Sequence, residues 1–144
     1  MGDEISARCT AIEQCYEFML AYAGQGLNGD EGSHSSGEVR DYLNRAVDAL
    51  SGLAEAYATA VKQQSLQPAE HYNSFLAVLD RDARDSLAAI QLVLAQSTLS
   101  SQLIDNLNAS IHLRALLTDV FLVSEIFKTQ RGLEFTVANQ VAAP

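Results

Sequence analysis

Val39-Arg-Asp-Tyr-Leu-Asn-Arg-Ala-Val-Asp-Ala-Leu-Ser-Gly-Leu-Ala-Glu-Ala-Tyr-Ala-Thr-Ala60 sets Val39, Leu43, Ala46, Leu50, Leu53, Tyr57 and Ala60 alternately four and three residues apart. That alternation gathers apolar side chains on one face of an α-helix and leaves the charged ones on the other. The rhythm extends in both directions. Upstream it runs through Ile5, Cys9, Ile12, Tyr16, Met19 and Ala23; downstream it returns in Tyr72, Leu76, Leu79, Ala83, Ile90 and Val93, broken only by Ser86. A fourth segment, 99–129, spreads its apolar residues around most of a helix: Leu103, Leu107, Ile111, Leu113, Leu116, Leu117, Val120, Phe121, Val123, Ile126 and Phe127. A helix apolar on most sides is usually surrounded by protein.

Punctuation between the stripes fixes the expected boundaries. Residues 24–37 hold five glycines and three serines, which exclude regular structure, and Ser35-Ser-Gly-Glu38 fits a capping box that starts the second helix at about Ser36. Pro68 disfavours helix in the residue before it and suits the first turn of the next. The Gln96–Ser101 stretch is a weaker, compositional break; a continuous rod across it would leave the wide apolar surface of the fourth segment in water. Gly132, following Lys128 and Arg131, reads as a helix stop, and Leu133-Glu-Phe-Thr-Val137 alternates with the period of a strand. The expectation is an all-α, antiparallel four-helix bundle with helices over about 3–24, 37–64, 68–96 and 99–130, a flexible loop at 24–37 and a C-terminal tail at 133–144. The surplus apolar surface of helix four further suggests a homodimer through it.

Composition bounds the function. The 144 residues suffice for one core that buries roughly 70% of the unfolded surface, without help from a metal or disulfide. The net charge of −9 argues against direct nucleic-acid binding, since the nine basic residues are dispersed. The acids concentrate in the first half, as on a solvated acidic face. The longest apolar runs fall far short of the ~20 residues that span a bilayer, and the Met-Gly-Asp-Glu start has no signal-peptide pattern, so the expected location is cytoplasmic. Cys9 lies on the apolar stripe and reads as a small buried hydrophobe, whereas Cys15, a third of a turn around, reads as near the surface.

Motifs that carry chemistry are sparse. Glu31-x-x-His34, the one Glu-x-x-His, lies in the glycine-rich loop without the converging carboxylates of a bundle metal site, and Glu13 with Glu17 reads as a solvated face. No Cys-x-x-Cys-His, Gly-x-Ser-x-Gly or phosphate-binding glycine loop occurs, so no cofactor or metal is expected. His112, within an apolar helix, is the one candidate for histidine phosphotransfer. The leading expectation is a non-enzymatic interaction protein (an adaptor, an assembly or export chaperone, or a regulatory subunit) that binds another protein. Its candidate contacts are His112, Phe121, Phe127, Leu133, Phe135 and Val137. The alternative is a small-molecule or cofactor binder that uses the space between helices.

Overall fold

The computed structural model describes the backbone of residues 2–28 and 33–142 and the side chains of residues 4–28 and 37–130. Among them every regular element is an α-helix: α1 (Gly2–Ala23), α2 (Ser33–Leu50), α3 (Leu53–Gln63), α4 (Ala69–Leu94), α5 (Ser101–Asn108) and α6 (Ile111–Ala142). The helical class is as expected from the apolar period. Helix α1 packs against α2, α3 and α5, while α4 packs against α2, α3, α5 and α6. Between them lies one core, whose fully enclosed side chains include Met19, Tyr22, Leu43, Leu53, Tyr57, Leu79, Ile104 and Leu116. Each such large apolar side chain contributes about 1.5–3 kcal/mol by leaving water.

The expected second helix is two. Ser51 and Gly52 interrupt it, and Gly52 takes the left-handed conformation (φ 98°) that costs glycine little. The end of α2 needs donors for its last carbonyls. Arg8 of α1 supplies them: its Nη1 donates to the carbonyls of Asp48 (3.1 Å), Ala49 (3.0 Å) and Ser51 (2.9 Å), while Nη2 and Nε bond Glu4. The guanidinium lies against Gly52, 3.5 Å from where a Cβ would stand. Arg40 of α2 does the same for α4, donating to Leu94 (3.0 Å), Gln96 (2.7 Å) and Ser97 (3.2 Å). Arginine suits the task because one rigid fork presents several donors. These contacts, with Phe18 stacked on Tyr42 at 4.5 Å, make α1 antiparallel to α2 and α2 antiparallel to α4.

The fourth segment also departs from its expected limits. The turn before it exists, with Ser100 capping α5 through the Leu103 amide. A second break at Ala109 and Ser110 then separates α5 from α6, where the Ser110 hydroxyl accepts from the Leu113 amide. Helix α6 continues through Gly132 to Ala142, so the expected stop and extended tail at 133–144 are corrected by the backbone. An interior glycine costs a helix only about 1 kcal/mol relative to alanine, and no proline follows before Pro144. Leu133 and Val137, four apart, satisfy a helical period as well as a strand period.

At the other end α2 begins at Ser33, so Ser35 and Ser36 lie inside the helix rather than capping it. Part of the expected 24–37 loop, residues 29–32, lies outside the described residues. The start of that connection is tied down. Tyr22 donates to the Leu99 carbonyl; the Ser101 hydroxyl donates to the Tyr22 carbonyl at 2.6 Å and accepts from the Leu27 amide at 2.8 Å; the Ser101 amide donates to Leu27 at 2.8 Å. Cys15 is buried, not near the surface as expected, because α1 is covered on several sides and buries a face wider than one stripe. Burial pushes its thiol up to about 12, which leaves it unreactive.

Arg8→Met should destabilise the protein by about 1–2 kcal/mol, because three carbonyls at the end of α2, that of Ala49 part-buried, lose their donor. Arg8→Lys should recover less than half of this, having one ammonium in place of a fork. Urea unfolding of the two variants beside the parent protein measures both.

Candidate functional site

Helices α4 and α6 run antiparallel along one seam. At one end the Ser86 hydroxyl, fully buried, donates to the His112 carbonyl at 2.9 Å; at the other the Tyr72 ring meets the Phe127 ring edge-on, with centroids 6.3 Å apart. The serine that interrupts the third apolar stripe is thus a hydrogen bond between helices. Near the Tyr72 end an apolar groove of about 260 Å³ lies between the two helices. Helix α4 lines it with His71, Tyr72, Phe75 and Leu76, and α6 with Leu122, Val123, Ile126 and Phe127.

Both sets follow the spacing i, i+1, i+4, i+5, which puts a pair of parallel rows along each helix. The inner members Leu76, Val123 and Phe127 are buried and form the floor, while Leu122 (49% exposed) and Ile126 (38%) form a lip. Large apolar side chains gathered in this way, rather than scattered singly, mark an interaction surface. Phe121, 53% exposed, stands about 100° round α6 from Leu122 and about 140° from Ile126 and does not line the groove.

The residues singled out from the sequence divide across this geometry. Phe127 is in the groove floor, whereas Phe121 is exposed on another side of α6, outside the groove lining. His112 is exposed at the start of α6, about ten residues and so roughly 15 Å along the axis from the groove. The structure does not bring it together with Phe121 and Phe127. The side chains of Leu133, Phe135 and Val137 lie outside the described residues, as do those of Glu31 and His34. Glu13 and Glu17 are exposed.

Two features were missed in the sequence. The α4 wall, His71 with Tyr72, Phe75 and Leu76, was signalled only by Tyr72 and Leu76 on the stripe, since a stripe reports one row and a groove needs two. The other is Asp119, 7% exposed, in the middle of the seam. Its Oδ2 has no donor among the described residues; the group beside it across the seam is Asp82 of α4, a second carboxylate, which can hydrogen-bond to it only through a shared proton. Burial, then the bond and charge of Asp82, push the Asp119 carboxyl up to about 7. A single acid within the apolar run Val120–Val123 and its approach was the available signal.

Among the described residues no group of three or more His, Cys, Asp or Glu converges where it could hold a metal ion. None of the described helices is long and apolar enough to cross a membrane. Comparison with protein-family models, curated proteins and solved structures gives no match.

The Asp119 shift has a sign that can be measured. The folded chain holds this proton to about pH 7, whereas the unfolded chain releases it near 3.8, so stability declines as pH rises from about 4 to about 7 and is level above. Asp119→Asn keeps the shape without the charge. It should stabilise by on the order of 2 kcal/mol above pH 7 and by little at pH 4. Urea unfolding across that range checks the slope.

Proposed function

We propose that this chain is a non-enzymatic interaction protein whose α4–α6 groove docks an amphipathic helix from another protein. In this reading the six helices act as four arms of an antiparallel bundle, with α2–α3 and α5–α6 each a single broken arm. The observation that carries it is the groove itself: a buried apolar floor of Leu76, Val123 and Phe127 bordered by exposed Leu122 and Ile126, gathered in one place, whereas the exposed Leu20, Val78, Leu92 and Ile111 lie outside it. The floor takes residues spaced i, i+3, i+4 and i+7, as helix-in-groove complexes do.

Charge argues for the nature of the partner. The chain carries −9, and of the charged residues next to the groove residues in sequence Glu70 and Glu125 outnumber Lys128. An occupant with lysine or arginine flanking its apolar face gains from that field, while a second copy of the chain brings −9 against −9. Self-association through α6 is the competing occupant. Adaptors, chaperones and regulatory subunits all use such a surface, and the fold does not choose among them.

A labelled Leu/Lys amphipathic helical peptide should bind in a fluorescence anisotropy titration, with Leu122→Asp or Ile126→Asp weakening it at least about tenfold, the scale of losing one apolar anchor and adding a charge beside it. Both positions are exposed, so the fold survives the change. Equal binding of a Leu/Glu peptide, or indifference to both substitutions, would overturn the reading. Sedimentation that finds a dimer of the parent protein and a monomer of Ile126→Asp would assign the groove to a second copy instead.

A further inference from the structure

On the opposite side of Phe127 from the groove, α1, α3 and α6 surround a second cavity of about 270 Å³ that differs in chemistry. Its inner wall is a hydrogen-bonded chain: Cys9 Sγ to the Tyr57 hydroxyl at 3.3 Å, and that hydroxyl to Ser124 Oγ at 3.1 Å. Phe127 supplies an apolar wall, its ring edge-on to Tyr57 with centroids 5.4 Å apart. Gln64 also lines the cavity, and its Oε1, shut from solvent, has no hydrogen-bond partner among the described residues. A buried carbonyl oxygen without a donor is costly, and a cavity beside it is where a donor would come from.

The sign of the site follows from its surroundings. Glu13 of α1 and Lys128 of α6 both line the cavity and both are exposed. Burial, and then the hydrogen bond with Cys9, push the Tyr57 phenol above its ordinary range; the Ser124 bond opposes this, and the charge of Glu13 adds to it. Glu13 is the one carboxylate of the lining, and its charge is the smallest of these contributions at Tyr57, after that of Cys9. The unmet needs of the lining are a donor for Gln64 and a cation for Glu13. The volume equals that of about nine waters at their liquid share, room for a small organic molecule.

We propose that this cavity binds a small primary amine with an apolar body, its ammonium group directed to Glu13 and Gln64 and its body against Phe127. The inference stands apart from the groove, which lies on another face of α6 and binds a different class of partner.

Phenethylamine is the probe, with 2-phenylethanol as its uncharged counterpart and phenylacetate as its anionic one, titrated into the isotope-labelled full chain and followed by amide chemical shifts. Saturable shifts centred on Cys9, Tyr57, Gln64 and Ser124 are expected for the amine. Glu13→Gln should weaken it about tenfold, the scale of losing one charge-assisted hydrogen bond, and Ser6→Trp, an exposed change at the lining, should block it. Preferential binding of phenylacetate, dependence on Lys128 rather than Glu13, shifts centred on the α4–α6 groove, or no saturable shift at tens of millimolar would each overturn the proposal. Because the peptide assay reads the groove alone, either result leaves the other separately decided.

Discussion

The Phe127 ring meets Tyr57 from α3 on one side and Tyr72 from α4 on the other, both in steeply inclined, T-shaped contacts. Aromatic pairs in this arrangement contribute about 0.5–1.5 kcal/mol each beyond the area they bury. Their position matters more than their sum. Among the described residues of α6 no second aromatic is buried, so this contact is where α3, α4 and α6 meet through rings. An apolar groove lies on one side of the ring and a polar cavity on the other, and Phe127 is a wall of both. Toward the other end the seam closes around Ser86, the His112 carbonyl and the Asp82–Asp119 pair, where small and polar groups let the helices approach.

Much of this was legible because helical periodicity is a local property. The stripes through Leu43, Leu53, Leu79 and Leu116 are the core, and the turn before the fourth segment lies where serine and threonine collect. What the period cannot show is a break that leaves it intact. Leu50 and Leu53 are three apart and both buried, so the stripe reads straight through Gly52, although the helix ends and restarts there. The donors that make this break stable come from Arg8, some forty residues earlier in the chain, and no local pattern announces them. Gly132 is the converse case: a residue that commonly ends helices stands inside one, because weak propensity yields to an uninterrupted helix on both sides.

The candidate site was legible by half. The excess of apolar residues on the fourth segment pointed to α6, where Phe127 lines the groove and Phe121 does not. Its second wall depends on how α4 lies against α6, which a single-helix pattern does not encode. The polar cavity was less accessible still. Cys9, Tyr57 and Ser124 are distant in sequence, and each alone resembles an ordinary stripe or flank residue; only the packing of α1, α3 and α6 brings their polar atoms together.

The central claim is that the α4–α6 groove, rather than the acidic surface at large, is where a partner docks. A backbone amide chemical-shift map of the labelled full chain with a cationic amphipathic helical peptide tests it most directly. The account predicts perturbations confined to residues 71–76 of α4 and 118–128 of α6, with α1 and α2 silent. Perturbations spread over the acidic residues of α1 and α2, with the groove unchanged, would contradict it.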